Sequence, residues 1–304
     1  MKLAALLEQA TNTNPLTVAV AAADDQETIE AVYEAVERKL AHFLLFGDKE
    51  KINSRILQYQ PSLLENHSIQ IVDAKTVQEA ATLAVKAVHN QEAQLLMKGH
   101  LSTSIILKAV LNKEYGLRTG SVLSHVAVFE VPSYDQFVFV TDAAMNIQPT
   151  LQEKAQILTN AVQVAQAVGI KTPKVAPIAA VEVVNENMQA TVDAALLTQM
   201  NKRGQIQGCI VDGPLALDNA INIQAAHHKG ITGEVAGQAD ILLVPTIEVG
   251  NVLYKSLVYF AKAKVGAVIA GAKAPIVLTS RADSSESKLY SLALAICVAN
   301  RQSY

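Results

Sequence analysis

The chain has 304 residues, half of them hydrophobic and 17% charged, with a mean hydropathy of +0.22. This composition excludes disorder of the bulk chain and a highly charged nucleic-acid clamp. With 25 Lys and Arg against 28 Asp and Glu the formal net charge is -3, so there is no electrostatic footprint for DNA, RNA or anionic lipid and any basic site is local.

The length suits two domains or one large one. A membrane span needs about 20 consecutive apolar residues, and even the stretch from Ser256 to Ala272 is interrupted by Lys262 and Lys264. At the start, Glu8 breaks MKLAALLEQA well short of a leader's apolar region, so the chain reads as cytoplasmic. Cys209 and Cys297 lie in apolar segments without a second Cys or His at ligand spacing. They read as core thiols, and neither a disulfide nor a zinc site is indicated.

In chain order, short β-branched or apolar runs alternate with longer helical ones, the pattern of a parallel-sheet α/β protein. Thr17 to Ala22 predicts a buried strand, Asp24 and Asp25 are N-cap candidates, and Ile29, Val32, Val36 and Leu40 recur at helical spacing. HFLLFGD and IQIVDA are strands, Thr76 opens a helix, QLLMKG ends a strand at Lys98 and Gly99, and STSIILKAVL is a helix. The texture then changes. VLSHVAVFEVP and FVFVTD predict consecutive antiparallel strands around Pro132, Ser133 and Tyr134. A helix follows Thr150, then KVAPIAA, QIQGCIVDGP, ADILLVPT, VGAVIAG and PIVLTS predict strands, and SSESKLYSLALAICVAN a final helix. With no low-complexity linker, the boundary is placed at the paired strands near residue 140.

In open α/β sheets ligands bind beyond the carboxyl ends of the strands. There this sequence places Lys98 and Gly99 with Ser102, Thr103 and Ser104, Asp142, Asp212-Gly213-Pro214, Pro245 to Asn251, and Thr279-Ser280-Arg281. Hydroxyls and backbone N–H groups at helix starts beside a Lys or Arg suit phosphate or another small anion. Nucleotide signatures are missing. No G-x-G-x-x-G follows the first strand, and in GAVIAGAK Ala272 separates Gly271 from Lys273. Ser124 and His125 are strand neighbours pointing to opposite faces, so they do not pair as nucleophile and base. His227 and His228, with Glu234, lack further ligands at metal spacing and read as a solvated loop. The densest polar constellation is TSRADSSES, with Ser280, Arg281, Asp283, Ser284 and Glu286. It offers an oxyanion partner, hydroxyl donors and a carboxylate, or else an ordinary helix cap with solvated charges.

DGPLALDNAI, ADILLVPTIEVGNVLYKSL and SRADSSES, together with MKGHLSTS and TDAAMNIQPT, resemble the phosphate acyltransferase family, which includes phosphate acetyltransferase and phosphate butyryltransferase. The resemblance runs from about Leu95 onward, and the length and SRADS form are most similar to the butyryl branch.

The resemblance implies a two-domain isocitrate/isopropylmalate dehydrogenase-like α/β fold with an interdomain cleft as active site. Residues 1–138 and 273–304 would form one domain and 139–272 the other. It also implies a homodimer without a tightly bound cofactor or metal, taking acyl-CoA and phosphate as substrates and coupled to an acyl-phosphate kinase. The reaction it implies is reversible acyl transfer between CoA and phosphate by direct thiolate attack. On this resemblance Ser280 and Arg281 stabilise the reacting oxygens, Glu286 is the base with Asp283 as its alternate, and Asn251 and Lys255 bind substrate. Lys98, Gly99, Ser102, Thr103, Asp212, Gly213 and Pro214 complete the binding set. The acetyl branch carries a second acid where this chain has Ser287, leaving one carboxylate there. The alternatives are an acetyl-preferring enzyme and a non-catalytic small-anion or acyl-CoA binding protein.

Overall fold

The computed structural model describes residues 2–132, 134–278 and 284–302. The chain divides into two compact units, one of Leu3–Ser121 with Gly266–Tyr304 (the Leu3 unit) and one of Met1–Lys2 with Val122–Val265 (the Val122 unit). The chain thus passes from one unit to the other at Val122, ahead of residue 139. It does so because the strands near residue 140 are a hairpin, with Val126 opposite Thr141 and Phe129 opposite Val138, and the two halves of a hairpin stay in one unit.

The Leu3 unit begins with α1 (Leu3–Thr11), β1 (Leu16–Ala21), α2 (Gln26–Glu37), β2 (Ala41–Gly47) and α3 (Lys49–Tyr59). A 3-10 turn over Pro61–Glu65 leads to β3 (Ile69–Asp73), α4 (Val77–His89), β4 (Leu95–Lys98) and α5 (Thr103–Val110). The Val122 unit holds β5 (Ser124–Glu130), β6 (Val138–Thr141), α6 (Leu151–Ala167), β7 (Lys174–Pro177), α7 (Gln189–Lys202) and β8 (Ile210–Val211). It continues with α8 (Leu217–Ile221), α9 (Ile223–His228), β9 (Ile241–Leu243) and α10 (Ile247–Tyr259). After β10 (Lys264–Ala270), β11 (Ile276–Val277) and α11 (Ser285–Gln302) belong to the Leu3 unit.

In the Leu3 unit the strands run β3-β2-β1-β4-β11-β10. All pairs are parallel except β10 with β11. β1 is fully buried from Val18 to Ala21, as an inner parallel strand covered on both faces must be. Side-chain caps start its helices: Asp25 accepts from Thr28 N, Thr76 from Glu79 N and Ser102 from Ile105 N. Helix α11 packs on α1, α2 and β11 and buries Leu289 to Ala299. So LAALLEQAT is the first helix of this core, with Leu3, Leu6 and Ala10 inward.

In the Val122 unit the order is β5-β6-β9-β7-β8, with an antiparallel β5–β6 hairpin and the remaining pairs parallel. Thr150 and Glu153 form a reciprocal capping box at α6. Behind it Lys154 Nζ meets Asp193 Oδ2 of α7 at 2.6 Å, with both side chains only 7% exposed. His227 and His228, expected in a loop, are the exposed last residues of α9 instead, because Asn222 caps that helix through Gln224 N and Ala225 N. Among the described residues no helix is long and apolar enough to cross a membrane.

Candidate active site

The carboxyl end of β4 collects the first group of polar residues. Ala22, at the end of β1, takes a left-handed φ of 56°, and its carbonyl accepts from His100 N at 2.7 Å while Ala21 O accepts from Gly99 N at 2.8 Å. The approach is so close that a Cβ on Gly99 would lie 2.1 Å from Ala22 O. Only glycine fits. Lys98 Nζ donates to Gly99 O at 3.1 Å and Leu101 O at 3.2 Å, which folds its ammonium over the start of α5. There Ser102 caps the helix and pairs with Ser104 Oγ at 2.9 Å, and Thr103 is exposed. An α-helix N-terminus presents backbone N–H groups and a positive dipole end to an anion.

β11 runs parallel to β4, with Val277 opposite Met97. The chain therefore leaves β11 alongside Lys98. Thr279, Ser280, Arg281, Ala282 and Asp283 lie outside the described residues. On their far side Ser284 Oγ accepts from Ser287 N at 3.2 Å and starts α11. Glu286 stands exposed in the first turn, and its Oε1 accepts from the hydroxyl of the buried Tyr290 at 2.8 Å. The ring of Tyr290 thus anchors the carboxylate one helical turn away.

A second group lies in the Val122 unit. Asp212 follows β8, with its N–H on Val175 O at 3.2 Å. Gly213 lies against Pro177, where an added Cβ would be 3.1 Å from Pro177 O, and its peptide bond to the buried Pro214 is cis. Asn251 and Lys255 are exposed on α10 four residues apart, hence on one face. The helix that carries them meets the turn after β6 at Gly250, where a Cβ would be 2.6 Å from Asp142 O. Tyr254 stands edge-on to His125 and Phe129.

His125 and Ser124 point apart as strand neighbours do. Ser124 Oγ accepts from Asn160 of α6, whereas His125 faces Tyr254 of α10. Burial pushes the His125 imidazole below its ordinary range, opposed by the charge of Asp142. Cys209 and Cys297 are buried and unbridged, and burial pushes both thiols up to about 11. Among the described residues no three His, Cys, Asp or Glu side chains gather as they would around a metal ion.

What the sequence reading lacked was a role for Asp142. Its signal was present as an Asp followed by a run of small and amide residues, the pattern of a carboxylate that caps its own turn. Gly250, a glycine inside a helix, marked the contact on that turn.

The family model described as phosphate acetyl/butaryl transferase matches residues 62–296. A protein of Bacillus subtilis (strain 168) named "Probable phosphate butyryltransferase" is 60% identical over 304 residues, covering 100% of both chains. The crystal structure of a branched-chain phosphotransacylase from Enterococcus faecalis V583 superposes with a TM-score of 0.83 at 38% identity, covering 93% of this chain and 99% of that one. A 4-hydroxythreonine-4-phosphate dehydrogenase from Klebsiella pneumoniae shares the fold at a TM-score of 0.58 and 12% identity, covering 94% of this chain and 100% of that one. The architecture is thus a dehydrogenase-like α/β fold.

Proposed function

The chain belongs to the phosphate acetyl/butaryl transferase family and is a phosphate acyltransferase, and from that premise we propose that it moves an acyl group of four or five carbons, straight or branched, between CoA and inorganic phosphate. The transfer is direct. The CoA thiolate attacks the carbonyl carbon of the acyl phosphate, the carbon–oxygen bond to phosphate breaks, and phosphate departs as the thioester forms. A free thiol has a pKa of about 8.5, so at pH 7 only about 3% is thiolate, and a base at hand recovers about 2 kcal/mol.

Glu286 takes the thiol proton, held by the Tyr290 hydroxyl, with Asp283 as the alternate base. Arg281 and Ser280 stabilise the carbonyl oxygen and leaving phosphate as negative charge grows on them. One such donor contributes about 3 to 4 kcal/mol. Lys98, Gly99, Ser102 and Thr103 bind phosphate, and Asp212, Gly213, Pro214, Asn251 and Lys255 bind the rest of the substrates. The observation that carries this reading is the parallel pairing of β4 with β11, which supports placing the sequence SRADS after Leu278 in the service of an anion at Lys98. CoA and phosphate enter as substrates, with no tightly bound cofactor.

The working form is a homodimer in the cytoplasm. In support, α10 buries only Gly250 of its own residues while Val252, Tyr259 and the following Phe260 are 65%, 60% and 87% exposed, an apolar face suited to a second copy. An acyl phosphate is a mixed anhydride, so a kinase that passes its phosphoryl group to a nucleoside diphosphate is the natural partner reaction.

The test is phosphate-dependent release of CoA thiol from acetyl-, butyryl-, isobutyryl- and isovaleryl-CoA without added metal or nicotinamide. The expected result is release with an optimum at four or five carbons. An optimum at acetyl overturns the chain-length assignment, and binding without release overturns the catalytic one.

A further inference from the structure

We propose that Asp142 is a positioning residue for substrate binding, whose buried carboxylate builds the seat that fixes the face of α10 carrying Asn251 and Lys255. The inference rests on the reading above that these two residues bind substrate. Asp142 is only 3% exposed, and a carboxylate so buried persists only if its oxygens are satisfied. Here they are. Oδ1 accepts from Ala144 N at 2.9 Å and Met145 N at 3.0 Å, and Oδ2 accepts from Asn146 N at 3.2 Å and Asn146 Nδ2 at 2.6 Å. Asn146 Nδ2 also donates to Leu123 O at 2.8 Å, which ties the turn to the start of β5. One charge therefore shapes the whole turn after β6.

That turn holds α10 at two points about one helical turn apart. Ile247 N, at the helix start, donates to Ile147 O at 3.0 Å. Three residues on, Gly250 is pressed so close that an added Cβ would stand 2.6 Å from Asp142 O and 2.8 Å from Ala143 Cα. Gly250 is the buried residue of the helix, so this contact sets where α10 lies along the end of β6. Asn251 is the next residue, and Lys255 lies about 7.5 Å further along a rigid helix than Gly250. A shift at the seat thus travels to both side chains.

The chemistry separates positioning from a reacting role, since Asp142 has its oxygens committed to N–H groups of its own turn. In Asp142→Asn one acceptor becomes an amide donor facing the N–H donors of the turn. In Gly250→Ala the carboxylate keeps its chemistry, and the added Cβ forces the helix and the turn backbone apart. Two unlike perturbations of one seat should give one kinetic signature.

The experiment measures kcat and KM for butyryl-CoA and for phosphate in wild type, Asp142→Asn, Gly250→Ala, Asn251→Ala and Lys255→Ala, with folding followed by circular dichroism. Asp142→Asn and Gly250→Ala are expected to raise the same KM that the Lys255 and Asn251 variants raise, by about tenfold. In both, kcat should change by less than about twofold. Gln166→Ala is the stability control. Its amide bonds Lys171 O and Gly208 O at the amino ends of β7 and β8, far along the strands from the seat. It should lower the melting temperature and leave KM intact. If Asp142→Asn does not fold, Gly250→Ala carries the test. A normal KM in a folded seat variant, or a fall in kcat alone, overturns the proposal. A normal KM in both α10 variants overturns the binding role it rests on, and the proposal with it. Loss of CoA release in wild type refutes the enzymatic reading separately.

Discussion

Replacing Gly99 with alanine tests whether the carboxyl end of β4 is a substrate platform. The new Cβ would lie 2.1 Å from Ala22 O and 2.8 Å from Ala21 O, whereas an ordinary carbon–oxygen contact is about 3.3 Å, so the ends of β1 and β4 must part by about 1 Å. Overpacking of that size costs about 1 to 3 kcal/mol. The bonds from Gly99 N to Ala21 O and from His100 N to Ala22 O, 2.8 and 2.7 Å long, are the ones stretched. Each contributes about 1 kcal/mol, for a total near 3 to 5 kcal/mol. The same displacement moves Lys98 and the cap of α5, and a misplacement of about 1 Å costs up to about 100-fold in turnover. Gly99→Ala is therefore expected to lower the urea midpoint and to reduce kcat/KM for phosphate-dependent thiol release well beyond the loss of folded protein. Wild-type kcat/KM at an unchanged midpoint would refute the reasoning, since the strand ends would then have yielded without consequence.

Arg281→Ala should reduce turnover by at least about 100-fold with the fold intact, and wild-type turnover would remove it from the mechanism; Glu286→Gln should slow thiolysis and move its rate to higher pH, and a wild-type pH–rate profile would remove Glu286. Lys154→Met leaves Asp193 buried without its partner and should cost about 3 to 5 kcal/mol in denaturant melts, much of it returned in the double variant with Asp193→Leu. A loss below 1 kcal/mol would mean that water reaches the pair. The buried His125 takes up a proton less readily when folded than when unfolded. Its contribution to stability is therefore full above the ordinary imidazole value of about 6.5, and is lost progressively as pH falls below that value towards the lower folded one. Melting temperatures between pH 7.5 and 5 should fall in wild type and flatten in His125→Leu, and parallel curves would assign the loss to other groups.

The strands and capped helices of the Leu3 unit were legible because their signals are local: unbroken apolar runs in β1, β2 and β4, and Asp25, Thr76 and Ser102 standing where a cap must stand. The hairpin β5–β6 was legible for the same reason, but the point where the chain changes unit was not, since that depends on which strands share hydrogen bonds. Helix α10 escaped the pattern of inward apolar residues because Val249, Val252 and Tyr259 face outward, the other apolar side chains are only half-buried, and a glycine is the residue that faces fully in. Periodicity alone does not say which side of a stripe is the core. The placing of Lys98, Gly99 and Ser102 between a strand and a helix could be read from the sequence. The demand for glycine at 99 was hidden, because it comes from the carbonyl of Ala22, 77 residues earlier in the chain. Asp142 was visible as a polar residue after a strand, but its work is done on the backbone of its own turn and on a helix a hundred residues away.

The measurement that tests direct transfer most sharply is isotope exchange without CoA. Butyryl phosphate is incubated with the protein and labelled inorganic phosphate, first alone and then with CoA. Direct attack by the thiolate predicts that label enters butyryl phosphate only when CoA is present, because without CoA nothing accepts the acyl group. Incorporation without CoA would mean that the acyl group rests on the protein between the two half-reactions. That result would contradict the account and turn attention to a nucleophilic side chain in place of a base.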